Sequence, residues 1–162
     1  MNRIFLSLGS NLGDRRHNLE KGIVLLKDRA GQIGAESALY ETEPWGCSSN
    51  LTFYNQAVEL FTIQDPYHLL KTIHEIESLC GREPVTIRFA PRPLDIDMLF
   101  FNDSVINKPG LVLPHPSLHL RRFVLVPLAE IAPTMVHPLL HKKVIQVLHD
   151  CTDDKKVIQR LG

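Results

Sequence analysis

The residues with the clearest chemical potential are two aspartates, Asp95 and Asp97, within the apolar segment LDIDMLFF at 94–101. Because side chains alternate between the faces of a strand, both carboxylates point the same way, roughly 6–7 Å apart at the backbone. Such a pair repels itself and loses hydration unless a cation lies between the two groups, and magnesium is the usual cation where phosphates complete the shell. An isolated Asp-x-Asp is more often a polar strand face open to water, so the neighbouring residues decide.

Basic side chains surround this pair along the sequence. Three arginines precede the pair in one irregular segment: Arg82, Arg88 and Arg92. A histidine that lies between two prolines follows it, and then two adjacent arginines: His115, Arg121 and Arg122. Arginine makes bidentate contacts with phosphate, and carboxylates that bind metal beside arginines can position and neutralise a polyphosphate. The sequence contains no Gly-x-x-x-x-Gly-Lys-Ser/Thr motif, which excludes a P-loop.

The composition restricts the partners. The chain has 162 residues with 18 Lys plus Arg and 18 Asp plus Glu, so no net charge attracts nucleic acid or an anionic membrane. The three cysteines have no paired spacing, which argues against a disulfide framework or a zinc site and suits a reducing cytoplasm. No repeat or Gly/Ser-rich linker is found, so we expect one cytoplasmic, monomeric domain over residues 1–162.

Apolar periodicity predicts an alternation of strands and helices. Strands are predicted at 3–8, 35–44, 55–63 and 94–101. A first helix begins near Asp14, and a second begins at Asp65-Pro66 and ends at Gly81. This order predicts the α/β class, specifically an α+β, ferredoxin-like βαββαβ sheet with helices packed on one side and a C-terminal extension.

Finer features follow from the same patterns. In the fourth strand, apolar residues opposite the carboxylates are expected to pack together in the core: Leu94, Ile96, Met98 and Phe100. The segment GSNLGD at 9–14 reads as a strand-to-helix turn, and NDSV at 102–105 as a hairpin turn. Two long irregular segments, 43–53 and 82–93, are typical of functional loops that close over substrates.

Longer stretches of the sequence resemble a known family. RFAPRPLDIDMLFF and LVLPHPSLHLRRFVLVPLAEIAP, preceded by LSLGSNLGD, YETEPWG and FYNQAVEL in that order, resemble the 6-hydroxymethyl-7,8-dihydropterin pyrophosphokinases. The likeness extends from about residue 4 to about residue 136. It implies transfer of pyrophosphate from ATP to the hydroxymethyl group of a reduced pterin, which is a step of folate biosynthesis and releases AMP.

The resemblance also implies an ATP and metal site. Asp95 and Asp97 resemble the ligands of two magnesium ions that bracket the ATP phosphates. Arg82 and Arg92 resemble catalytic arginines that engage those phosphates. The implied ATP-binding residues are, in full, His74, Glu77, Arg82, Arg92, His115 and Arg121.

A pterin site is implied as well. A flat bicyclic ring needs a stacking slot, for which Phe53 and Phe123 are the candidate walls. The amide-like edge of the ring needs paired donors and acceptors. The candidates for this edge are Asn55 and the backbone groups around Thr42, Pro44 and Trp45.

Several positions depart from the family pattern. Phe53 stands where tyrosine is common, Phe89 where tryptophan is common, and Ala90 where glycine is common. His74 replaces a glutamine-like residue. Two prolines stiffen the arginine segment: Pro84 and Pro93. These differences bear on pterin affinity and loop closure rather than on the reaction.

Two other classes of function fit parts of the pattern. A nucleotide-sugar transferase also uses Asp-x-Asp with a divalent metal, and it predicts binding of a sugar nucleotide. A ferredoxin-like ligand-binding module needs no metal and predicts binding without turnover. For the pyrophosphokinase, we expect direct in-line attack of the pterin hydroxyl on the β-phosphorus, because the implicated residues include no candidate covalent nucleophile.

Overall fold

A six-stranded antiparallel sheet forms the centre of the structure, a computed structural model that describes residues 1–43, 52–81 and 91–160. The strands are β1 (Asn2–Ser10), β2 (Gln32–Glu36), β3 (Leu39–Thr42), β4 (Phe53–Thr62), β5 (Asp95–Phe101), β6 (Ile106–Lys108), β7 (Leu111–Leu113) and β8 (Val157–Arg160). The helices are α1 (Arg15–Arg29), α2 (Pro66–Leu79), α3 (Arg122–Ile131) and α4 (Val144–Asp150). β6 and β7 pair with each other in a separate sheet.

The strand order of the central sheet is β5-β1-β4-β3-β8, and β2 also pairs with β4. β1 lies between β4 and β5 and runs antiparallel to both. This order and direction are those of a ferredoxin-like βαββαβ sheet, with β8 added beside β3. The predicted fold class is therefore confirmed.

Apolar side chains cover both faces of this sheet. In β1, Ile4, Leu6 and Leu8 pack towards α1 and α2. The next residue in the alternation, Phe5, packs on the opposite face in a second cluster with Val124 of α3 and residues of α4. The prediction of helices on one side is thus wrong, because the C-terminal helices cover the other face and complete a three-layer arrangement.

Local capping residues begin the first two helices, and a glycine ends the second, as predicted. The Asp14 side chain accepts the His17 N–H at 3.1 Å at the start of α1. The Asp65 side chain does the same for His68 at 2.8 Å, with proline in the first position of α2. Gly81 follows α2 with a φ of 90°, a conformation that ends helices and favours glycine.

The predicted second strand, 35–44, is two strands. Ser37 interrupts it: its N–H donates to the Ala57 carbonyl, and its Oγ accepts the Ala57 N–H, each at 2.9 Å. The register of β2 against β4 shifts between Ile33 and Glu36. A side chain that bonds to the neighbouring backbone thus replaces regular ladder bonds, and β3 starts afresh at Leu39.

A bulge alters the last part of β5. Leu6 of β1 is paired with Met98, but Phe5 is paired with Phe100, so one residue of β5 is extra. Leu94, Ile96 and Met98 join the α1–α2 core as predicted. The same prediction for Phe100 is wrong, because the bulge turns it to the opposite cluster.

The segment 102–105 forms a turn, in which the Ser104 N–H donates to the Phe101 carbonyl at 3.0 Å. The predicted hairpin is wrong, because the strand after this turn, β6, pairs with β7 and not with β5. Cys80 and Cys151 are free thiols, while Cys47 lies outside the described residues. No helix in the described parts of the chain is long and apolar enough to cross a membrane.

One polar contact ties the sheet to α3. The Tyr40 hydroxyl donates to the Glu130 carboxylate, which also accepts the Ala38 N–H at 3.0 Å. Burial of the ring, and then Glu130, raise the pKa of Tyr40 from 10.0 to about 12. The protonated hydroxyl is therefore the form that stabilises the fold.

We expect Tyr40→Phe to lower the free energy of unfolding by about 1 kcal/mol, because the carboxylate loses its hydroxyl donor. The native pKa is raised, so this contribution is complete below pH 10.0 and is lost as the pH rises towards about 12. Urea unfolding of both proteins should show their difference shrinking over that window. Tyr67→Phe, at an exposed ring, is the control, and an equal loss of stability there would contradict the prediction.

Candidate active site

A cavity of about 550 Å³ brings the predicted site residues together. It lies at β5, an edge strand of the central sheet, and reaches β1 and β4 on one side and α2 on the other. Every predicted site residue within the described parts of the chain lines it: Thr42, Phe53, Asn55, His74, Glu77, Arg92, Asp95, Asp97, His115, Arg121 and Phe123. The other predicted residues, Pro44, Trp45 and Arg82, lie outside the described residues, as do Pro84, Arg88, Phe89 and Ala90.

The two aspartates lie at the start of β5. Asp95 is paired with Gly9 of β1, and Asp97 is paired with Ser7. Ile96 between them is buried in the α1–α2 core, whereas both aspartates are partly exposed at the cavity. The alternation therefore places both carboxylates on one face of an edge strand, which a ligand can reach.

Arg92 connects these carboxylates to the turn after β1. Its Nη1 donates to Asp95 Oδ1 at 3.2 Å. The Arg92 N–H donates to Asn11 Oδ1 at 2.7 Å, and the Asn11 N–H donates back to the Arg92 carbonyl at 3.1 Å. Asn11 Nδ2 and Arg92 Nε are buried without a hydrogen-bond partner among the described residues.

His115 is held beside β5 by its backbone, whose N–H donates to the Leu99 carbonyl at 3.0 Å. The Ser117 N–H donates to its Nδ1 at 3.1 Å, so the proton of the neutral ring lies on Nε2. Burial, and then the positive charge of Arg121, lower the pKa of His115 to about 4, although Asp95 opposes this. The ring is therefore neutral near pH 7 and offers one N–H donor to the cavity.

The start of α3 brings a cation and an aromatic ring to the same wall of the cavity. Arg121 is the residue that precedes the first turn of α3, and its guanidinium carbon lies 5.8 Å from the centroid of the Phe123 ring. Both side chains are partly exposed. A helix N-terminus carries partial positive charge, which adds to that of the guanidinium and favours an anion at this wall.

Glu77 has a structural contact that the sequence analysis did not predict. It is only 3% exposed, and its Oε2 accepts the Ile96 N–H at 2.9 Å. β5 is an edge strand, whose outward N–H groups have no strand partner, and this carboxylate replaces one. His74, about one turn earlier in α2, is exposed at the rim of the cavity.

A buried amide lies at the β4 end of the cavity. Asn55 Nδ2 donates to Thr42 Oγ1 at 2.6 Å, and both residues are buried. Gly9 is the residue paired with Asn55, and a Cβ at Gly9 would lie 2.8 Å from Asn55 Oδ1. Glycine therefore leaves the space that this amide occupies. Phe53 of β4 and Phe123 of α3 line the same cavity.

The donor set fits magnesium better than a permanently bound metal. Among the described residues, no group of three or more His, Cys, Asp or Glu side chains could hold a metal ion. Magnesium is commonly bound by one or two carboxylates, with waters and substrate phosphates completing its octahedron. Asp95 and Asp97 therefore fit a cation that arrives with a polyphosphate.

The sequence analysis missed several residues that the structure brings to the cavity. They are Ser7, Gly9, Glu43, Leu70, Ile96, Met98, Gly110, Leu111, Val112 and Pro116. Ser7 and Gly9 are there because of the β1–β5 register, which no local pattern reveals. Asn11, which holds Arg92, was treated only as part of a turn, and the sequence carries no signal that sets it apart.

Comparisons with known proteins identify the family. The family model described as 7,8-dihydro-6-hydroxymethylpterin-pyrophosphokinase (HPPK) matches residues 5–133. The chain is similar to the 2-amino-4-hydroxy-6-hydroxymethyldihydropteridine pyrophosphokinase of Bacillus subtilis, with 41% identity over 133 residues, 81% of this chain and 79% of that protein. It is also similar to the folic acid synthesis protein FOL1 of Dictyostelium discoideum, with 39% identity over 140 residues, 86% of this chain but only 21% of that protein.

A solved structure shows the same fold. The Plasmodium falciparum HPPK-DHPS, crystallised with pteroate, superposes with a TM-score of 0.76 over 91% of this chain and 44% of that one, at 18% sequence identity. The chain thus spans less than half of that protein. Since the family model covers most of the described sheet and all of β5, the chain belongs to the 7,8-dihydro-6-hydroxymethylpterin-pyrophosphokinase family.

Proposed function

We propose that this chain transfers pyrophosphate from ATP to the hydroxymethyl group of 6-hydroxymethyl-7,8-dihydropterin, giving AMP and the pterin diphosphate. The observation that carries the proposal is that one cavity is lined by Asp95, Asp97 and Arg92 together with a buried amide and two aromatic rings. Family membership and the names of the relatives support the same reaction. A polyphosphate fits the charged end, and a flat heterocycle fits the other.

ATP belongs at the charged end. Arg92, Arg121 and the neutral His115 offer N–H donors to the phosphates from two walls of the cavity. Arg82 is part of the same proposal, and His74 and Glu77 lie where α2 would meet the nucleoside. Asp95 and Asp97 would hold two magnesium ions, which supply charge neutralisation for the phosphates and polarise the reacting oxygens.

The pterin belongs at the amide end. Asn55 Oδ1 offers an acceptor to the amide-like edge of the pterin. The Thr42 hydroxyl offers a donor, because its oxygen accepts one of the two Asn55 Nδ2 hydrogens. Phe53 and Phe123 supply the stacking surfaces. Pro44 and Trp45 complete the proposed pterin site.

The reaction is a direct in-line displacement. The pterin hydroxyl oxygen forms a bond to the β-phosphorus, the bond from that phosphorus to the α–β bridging oxygen breaks, and AMP leaves while the hydroxyl proton is lost. Arg92 Nη1 is paired with Asp95 Oδ1 at 3.2 Å. If Asp95 held a cation, Arg92 would be able to contact a phosphate oxygen whose charge grows in the transition state.

The first experiment incubates the chain with ATP, magnesium and the hydroxymethyl-dihydropterin, and separates the nucleotide products by chromatography. AMP that forms only with the pterin present supports the proposal. ADP would indicate transfer of a single phosphoryl group and overturn the assigned point of attack. Pterin binding without turnover would favour the ligand-binding module, and binding of a sugar nucleotide would favour the transferase.

Asp97→Asn should reduce kcat by on the order of 100-fold or more, because a metal ligand and its charge are lost while the shape is kept. Steady-state AMP formation measures the effect, and thermal unfolding checks that the fold is retained. Asp103→Asn removes an exposed carboxylate just beyond the same strand and is the matched control. A fully active Asp97→Asn protein would contradict the assignment of Asp97 as a metal ligand.

Arg92→Ala should lower kcat by about 100-fold and change the KM for ATP far less, because the proposed contact strengthens in the transition state. Arg92→Lys, which keeps the charge without the planar fork, should recover only part of the rate. An effect confined to the KM for ATP would contradict a transition-state role.

Gly9→Ala should raise the KM for the pterin with little change in that for ATP, because the added methyl group meets Asn55 Oδ1 at 2.8 Å and displaces the amide. Kinetics with each substrate varied in turn measures the two constants. Gly13→Ala, at a φ of 72° in the same turn but outside the cavity, where the new methyl group meets only Asn18 Nδ2 at 3.8 Å, is the comparison for backbone strain. Equal changes in both KM values would argue against the assigned pterin end.

A further inference from the structure

A cluster of charged side chains lies on the opposite face of the sheet from the amide pocket. Glu41 Oε2 accepts from Arg15 Nη1 at 3.1 Å and from Thr52 Oγ1 at 2.9 Å. Glu41 Oε1 accepts from Arg160 Nε at 3.0 Å and from the Nη2 of the same residue. Arg15 Nη1 also donates to Thr52 Oγ1 at 2.7 Å and to its carbonyl at 3.1 Å. One carboxylate thus joins four separate parts of the chain.

The four parts are the start of α1, the end of β3, the residue before β4 and the end of β8. The Arg15 guanidinium carbon also lies 3.9 Å from the centroid of the Tyr54 ring, which adds a cation–π contact. Glu41 is only partly exposed, with 20% of its side chain accessible. Arg160, and then Thr52 and Arg15, hold the pKa of Glu41 down to about 2. The carboxylate is therefore ionised wherever the enzyme would work.

This cluster lies next to the proposed pterin residues along both strands. Glu41 precedes Thr42, and Thr52 precedes Phe53, and the two strands pair Thr42 with Phe53. Glu41 itself is paired with Tyr54. Because neighbouring residues of a strand move together, the position of Glu41 and Thr52 fixes that of the residues facing the pterin.

Arg160 comes from a part of the chain that the family match does not reach. The match ends at residue 133, whereas β8 spans Val157–Arg160. β8 pairs antiparallel with β3, with Leu39 opposite Arg160 and Thr42 opposite Val157. It covers what would otherwise be the free edge of β3 and brings the guanidinium to Glu41.

We propose that Arg160 is a positioning residue for the pterin: through Glu41 it fixes the β3–β4 pair that carries Thr42, Phe53 and Asn55. The C-terminal strand is thereby part of the substrate site, although it touches no substrate. This inference rests on the proposed function for the identity of the ligand. Its geometric basis is independent of the metal and ATP assignments.

The test compares Arg160→Ala with the intact protein. We expect the KM for the pterin to rise about fivefold, as for loss of a partly exposed charge pair, while kcat and the KM for ATP change by less than about twofold. The dissociation constant of the pterin, titrated with magnesium and a non-hydrolysable ATP analogue present, should rise by the same factor. Arg160→Lys keeps the charge and should restore part of the affinity, because one donor still reaches the carboxylate.

Lys142→Ala is the matched control, since Lys142 is paired with Asp150 at 3.0 Å on an exposed surface of the same C-terminal region. It should leave both KM values unchanged. An unchanged pterin constant in Arg160→Ala overturns the proposal. Parallel rises in the KM for the pterin and the KM for ATP, together with a lower melting temperature, also overturn it, because they indicate a general structural role.

The proposed function and this inference fail separately. If the intact protein binds the pterin but forms no AMP, the pyrophosphokinase proposal fails, and the binding titrations with Arg160→Ala still decide the positioning role. If the intact protein forms AMP and Arg160→Ala binds the pterin normally, only the positioning role fails. An intact protein that binds no pterin overturns both.

Discussion

The structure depends most on the alternation of side chains along β5. Ile96 enters the core between the sheet and α2, and the residues on either side of it, Asp95 and Asp97, face the cavity. Glu77 accepts the Ile96 N–H and so allows the strand to end the sheet at this edge. One short strand therefore fixes both the packing of α2 and the place of the carboxylates, and neither can shift without the other.

Charged groups around the cavity compensate one another. Arg92 is paired with Asp95, and His115 is kept neutral by burial beside Arg121. In the proposed reaction, a divalent cation and a polyphosphate would replace these existing partners, so that binding them together would cost little electrostatic energy. On the other face of the sheet, the negative charge of Glu41 is likewise compensated by Arg15 and Arg160, and there the contacts fix the backbone instead of binding a ligand.

Local signals predicted much of the fold. The caps at Asp14 and Asp65 and the glycine at position 81 acted through neighbours a few residues away, and such contacts are visible in a linear pattern. The errors came from contacts across the sheet. The break at Ser37 depends on Ala57, and the reversal at Phe100 depends on a bulge against β1, so neither has a local signature.

Residue spacing and motifs were enough to predict the ferredoxin-like order of strands and helices, the paired carboxylates, the supply of arginines and the family. The contact of Glu77 with an edge strand, the contact of Asn11 with Arg92, and the approach of Arg160 to Glu41 along β8 appear only in the folded chain. Each of these joins residues 19 to 119 positions apart, and strand register, which sets such contacts, is a property of the assembled sheet.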